Sequence, residues 1–219
     1  FSLVVSDTTG NVKKCRALIC AKFLWILNCP DPCHQLNLLA KDLVTMTIVN
    51  AITNYFSHSN YGKYHLKQAM KGSPDQRRIQ AGGATRFSTF ATHASSVLRC
   101  LPFMQKCYQS GAIKFDTKGE NSDDYDDFRR QLKHVGRLLD PIARGLQTLE
   151  GQQTTCSDVF FIWIGLGVAF QRAFNAPAES FYIDHQAESY AALDRRFHIF
   201  MNECTPGMFL LSYLLDPST

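Results

Sequence analysis

At Cys29-Pro-Asp-Pro-Cys-His34 the hydrophobic pattern of the chain changes period, and that change limits what it can fold into. Upstream, apolar residues come in short runs. Residues 1–5 read as a buried strand, residues 23–27 as a second one, and residues 11–20 between them as a helix offering Val12, Leu18 and Ile19 to a core. Asp7-Thr-Thr-Gly10 supplies the turn. A strand, helix, strand series of this length predicts a βαβ unit with a parallel pair. Downstream, Leu36, Leu39, Leu43 and Met46 recur at helical spacing and predict a helix over 34–56. Helices follow almost exclusively: 61–71, closed by Gly72-Ser-Pro74; 88–108; 122–134, with Ser122 as cap; 138–150, with Pro141 as a break or start; 157–174, capped by Ser157; 187–204; and an apolar tail ending at Pro217. The expected fold class is mainly α with a small α/β part, divided into residues 1–56 and an all-helical body over 57–219.

Composition fits a folded protein. Of 219 residues, 45% are apolar and 19% charged, outside the range of disordered chains. At this length roughly 70% of the unfolded surface can be buried, so no disulfide staple is needed. Several of the eight cysteines fall inside apolar helical patterns, and no secretory signal pattern is visible, so reduced thiols and a nuclear or cytoplasmic location are expected. The apolar run 159–170 is too short to span a bilayer and reads as a buried helix, so no membrane partner is expected. The net charge of +4 permits nucleic-acid binding without demanding it. Charge is concentrated, however. Lys63, Lys67, Lys71, Arg77, Arg78 and Arg86 face only Asp75 in their stretch, and an acidic run over 116–127 follows.

Three groups could carry chemistry. Asp7, just past an apolar strand, is placed to ligate Mg²⁺ through oxygen, unless it only opens a turn or caps the next helix. Cys29, Cys33 and His34 have zinc-compatible side chains, but no second ligand pair lies downstream; the competing reading is a packing cysteine and a helix-capping histidine. Lys63, Lys67 and Lys71 are spaced by four and share one helix face, which Arg77, Arg78 and Arg86 extend. Tyr61, Tyr64 and Phe87 interleave aromatics, so this stretch could neutralise phosphates and stack bases, or simply be a solvated face.

Four segments in order resemble hAT-family transposases, particularly the fungal type: Val4-Val-Ser-Asp7 with a helix behind it; Cys33-His34-Gln-Leu-Asn-Leu-Leu-Ala-Lys-Asp42; Thr85-Arg86-Phe87-Ser88; and Leu149-Glu150 through Ser157-Asp158-Val159 to Tyr213-Leu-Leu-Asp216-Pro217. The resemblance implies a partial ribonuclease-H-like core with a large helical insertion domain. It makes Asp7 the second acid of an Asp-Asp-Glu metal triad, puts Cys29 or Cys33 with His34 near the active site, and places Arg86 and Phe87 against DNA. The chain departs from the family pattern at Phe87, where the family has Trp, and at the spacing of its Cys and His. The family's first aspartate and its glutamate would lie outside residues 1–219. A transposase-derived, catalytically inactive protein that binds DNA non-specifically through phosphates is therefore expected, with self-association as a further option. The alternatives are a residual Mg²⁺-dependent nuclease, in which Asp42, Asp184 or Glu188 joins Asp7, and a helical interaction scaffold that does not touch DNA.

Overall fold

β1 (Leu3–Ser6) and β2 (Leu27–Pro30) pair in parallel, with Leu3 opposite Leu27 and Ser6 opposite Pro30, and α1 (Gly10–Lys22) connects them. This computed structural model describes residues 3–45, 55–74, 76–79, 89–112, 124–151, 153–175 and 183–217. After β2 come α2 (Pro32–Thr45), α3 (Asn60–Ala69), α4 (Thr89–Gln109), α5 (Asp124–Leu149), α6 (Cys156–Phe174), α7 (Ile183–Glu203) and α8 (Met208–Leu215). Among the described residues the molecule is mainly helical with one small parallel sheet.

The second strand forms later than the apolar run suggests. Phe23 ends α1 by donating its N–H to Ile19 O at 2.9 Å, and Ile26 N–H bonds Phe23 O, so residues 23–26 are a turn with Leu24 and Trp25 facing out. Pairing falls at residues 27–30, where Asn28 is gripped from both sides. Its N–H donates to Thr205 Oγ1 (2.8 Å), its carbonyl accepts from Thr205 N (2.9 Å), and its amide nitrogen donates to Glu203 O (2.6 Å). α1 corrects a second expectation. Val12 and Leu18 are exposed, and the buried residue of this helix is Arg16, 2% accessible. The apolar positions of α1 do not form one stripe, so a polar anchor rather than an apolar face seats the helix.

α2 begins at Pro32, whose missing N–H costs nothing in a first turn. Asp31 caps it, accepting Cys33 N–H on its carboxylate (2.9 Å) and Gln35 N–H on its carbonyl (3.2 Å). The cap is thus Asp31 and not His34. Residues 46–54 lie outside the described part, and residues 55–58 are helical again. α5 is one helix with Pro141 inside it, so that proline is neither a break nor a start. α6 is capped by Thr155, not Ser157. Thr155 Oγ1 accepts Asp158 N–H, and the Asp158 carboxylate accepts Thr155 N–H at 2.7 Å, a reciprocal capping box.

The chain forms two compact units. One comprises residues 1–40 with 141–219, and the other residues 41–140. This division lies away from residue 56, because α2 and α5 each contribute to both units.

The first unit has an aromatic centre in which Trp163 meets Phe200 (5.7 Å between centroids) and Phe200 meets Phe209 (5.0 Å). α6 buries Ser157, Val159, Trp163, Leu166 and Phe170 along one stripe, while Phe161, Ile164 and Val168 face out. At 19 residues it is longer than the apolar run alone suggests. By length and composition it matches a membrane-crossing helix, but its inward stripe packs in the core. Gly145 lets α5 approach closely: a Cβ there would stand 2.9 Å from Ile162 Cγ2 and 3.3 Å from Leu36 Cδ1. The second unit packs Leu66 and Met70 of the α3 region with Val97, Cys100, Met104 and Cys107 of α4.

Candidate functional site

Asp7 follows β1 directly. Its Oδ1 accepts both the N–H (3.0 Å) and the hydroxyl (2.7 Å) of Thr9, which organises the turn into α1. Those bonds, the hydroxyl's first, lower its pKa, and the charges of His34 and Arg16 lower it further. The fold thus brings Asp7 and His34, which are far apart in sequence, within electrostatic reach. Both charged neighbours are cations or can become one. Among the described residues, the groups that act on this carboxylate are hydrogen-bond donors and cations, and its Oδ1 is engaged by Thr9. Asp42 lies on α2, Glu188 is exposed on α7, and the side chain of Asp184 lies outside the described part.

Beneath Asp7 lies a network that sequence reading missed. Arg16 Nε donates to Asn28 Oδ1 (2.6 Å). One terminal nitrogen donates to the carbonyls of Ser6 (2.8 Å) and Asp7 (3.1 Å) and to the Ser6 hydroxyl. The other reaches Glu203 at 3.4 Å, whose second oxygen binds Lys13 at 2.7 Å. A planar guanidinium with a fixed fork of donors suits this role. The available signal was a lone arginine in a helix without an apolar stripe.

The cysteine–histidine group does not converge on a metal. Cys29 is buried in β2 with its thiol donating to Pro30 O, and Cys33 and His34 sit in the first turn of α2. Among the described residues no three His, Cys, Asp or Glu side chains are grouped to hold a metal ion. Burial first, and then the negative charges of Asp31 and Glu150, push the Cys33 thiol up to about 11, so at neutral pH it is neither a nucleophile nor a ready ligand. The Cys204 thiol donates to Phe200 O at 3.0 Å, and the neighbouring Cys29 thiol and then burial raise its pKa. All eight cysteines are free thiols.

The basic stretch does converge. Lys63, Lys67 and Arg78 line one cavity of about 210 Å³ in the second unit, together with Phe56, Ser57, Leu66 and Ile79. Three segments position it. α3 is capped by Ser59, whose hydroxyl accepts Gly62 N–H at 3.2 Å, and it presents Lys63, Leu66 and Lys67. Residues 55–58 bring Phe56 and Ser57. Gly62 allows that approach, since a Cβ there would meet the Tyr55 ring at 2.9 Å and its carbonyl at 3.2 Å. The loop 76–79 brings Arg78 and Ile79 and is pinned to α4, where Arg99 donates to the carbonyls of Arg77 (3.4 Å) and Arg78 (3.2 Å). Lys63, Lys67 and Arg78 have no ion-pair partner among the described residues.

The rest of the basic stretch is placed differently. Lys71 falls beyond the end of α3, in a turn completed by Gly72 at φ 82°, so it leaves the shared face. Lys71 and Arg77 do not line the cavity. Tyr61 and Tyr64 are exposed on α3. Arg86 and Phe87 lie outside the described residues. No protein-family model matches the chain, and neither a curated protein nor a solved structure is similar to it.

Proposed function

We propose that the chain is a nucleic-acid-associated protein of transposase descent that holds DNA through phosphate contacts at the cavity of Lys63, Lys67 and Arg78. The carrying observation is the convergence of these three cations on one concave surface without acidic partners among the described residues. Like charges gathered this way repel one another, and a polyanion relieves that repulsion while releasing its own counterions. The parallel pair of β1 and β2, with Asp7 at its end, supports the reading of a partial ribonuclease-H-like core. No catalytic step is assigned to Asp7.

The test is binding of duplex DNA across a salt series, with wild type compared to a Lys63→Ala, Lys67→Ala, Arg78→Ala variant. Each phosphate neutralised contributes roughly −0.9 to the slope of log affinity on log salt. Loss of all three contacts should flatten the slope by about 2–3. If wild type does not bind even at low salt, the proposal fails, and the helical body is an interaction scaffold that does not contact DNA.

A further inference from the structure

Resting on that reading, we propose that the cavity receives one unpaired nucleotide, its phosphate on Lys63, Lys67 and Arg78 and its base against Phe56, Leu66 and Ile79. The protein would then prefer single-stranded to fully paired DNA. The shape of the site carries the argument. A groove built for duplex backbone needs cations on an open surface, because a duplex presents phosphates outward and keeps its bases stacked inside. This site adds an apolar wall of three residues behind the cations and encloses about 210 Å³. A duplex phosphate would touch only the rim and leave the cavity behind it unfilled. A base freed from its stack has a flat apolar face for the wall and an adjoining phosphate for the rim.

One further observation agrees. Tyr64, exposed and three residues before Lys67, lies on the same side of α3 as the rim and offers a ring to the neighbouring base.

The experiment compares three probes by fluorescence anisotropy at one salt concentration: a short single-stranded oligonucleotide, the same strand with its bases replaced by abasic sites, and the full duplex. Stacking of one base predicts that the intact strand binds about 5- to 150-fold more tightly than the abasic one. Ile79→Trp fills the cavity without altering charge. It should bring the intact strand down to the abasic level while preserving the salt slope. Ile79→Ala, at the same part-exposed loop position, should keep the preference for bases and so controls for damage to the loop. Equal affinity of wild type for intact and abasic strands, or tighter binding of the duplex, overturns this inference and leaves phosphate binding standing. Failure of all three probes to bind overturns phosphate binding as well.

Discussion

Replacing Arg16 with Met tests whether a single guanidinium holds the sheet to the end of α7. Methionine fills much of the same channel but donates nothing. Five acceptors lose a bond: Asn28 Oδ1, the Ser6 carbonyl and hydroxyl, the Asp7 carbonyl and Glu203. Three of them keep another partner, since Asp31 N–H still reaches Ser6 O at 2.7 Å, the Ser6 hydroxyl still donates to the Asp7 carbonyl at 3.2 Å and Lys13 still reaches Glu203. Breaking a buried pair costs about 3–5 kcal/mol, and the three retained partners put this site at about 3 kcal/mol, the low end. With a urea dependence of about 1–3 kcal/mol per molar, the midpoint should fall by about 1–3 M. The chain's two tryptophans, Trp25 and Trp163, both belong to the first unit, and Trp163 is buried, so intrinsic fluorescence follows that unit alone. Arg16→Lys should recover little, because an ammonium cannot span Asn28, Ser6 and Glu203 together. A loss below about 1 kcal/mol for Arg16→Met would refute the reasoning and show that packing, not the fork, seats α1.

Three further outcomes are expected. Gly145→Ala should destabilise by about 1–2 kcal/mol, because overpacking against Ile162 and Leu36 outweighs the helix-propensity gain of alanine; the same fluorescence titration reads it. Thr155→Ala removes one half of the α6 capping box and should cost about 1 kcal/mol in thermal unfolding, whereas Ser157→Ala removes no capping bond. Cys33 gives a pH signature. Its thiol keeps a proton in the folded state up to about 11, against an ordinary 9.0, so the unfolded chain binds fewer protons across that window and stability falls as pH rises from 9 to 11. Cys33→Ala should make denaturation midpoints flatter over this range.

Much of the helical body was legible because periodicity is local. Leu36, Leu39 and Leu43 are buried on α2 as their spacing requires, and the turn signal Gly72-Ser-Pro74 does close the α3 region. Asp31-Pro32 is equally local, a cap followed by a proline at the first helical position. What stayed hidden depends on partners distant in the chain. Arg16 and Glu203 are 187 residues apart, and Asn28 and Thr205 are 177 apart, so no window on the sequence pairs them. The strand register follows from those bonds, which is why residues 23–26 of the apolar run became a turn and only Leu27 joined the strand. In the basic stretch, spacing by four located Lys63 and Lys67. The membership of Arg78 and the exclusion of Lys71 depended on where α3 ends and on Arg99 holding the loop by its carbonyls.

The two-part first unit also dictates an order of events during synthesis. When residue 140 has been added to the growing chain, everything that the second unit contains has been made, while the first unit has β1, α1, β2 and the start of α2 but none of its aromatic centre. Arg16 and Asn28 must then wait for Glu203 and Thr205, which are made well after residue 140. The early βαβ segment is therefore left with a two-stranded sheet that is marginal by itself. During that interval its exposed Leu24 and Trp25 join the still uncovered Leu36 and Leu39 as apolar surface, a target for chaperones that disappears in part once α6 and α7 arrive.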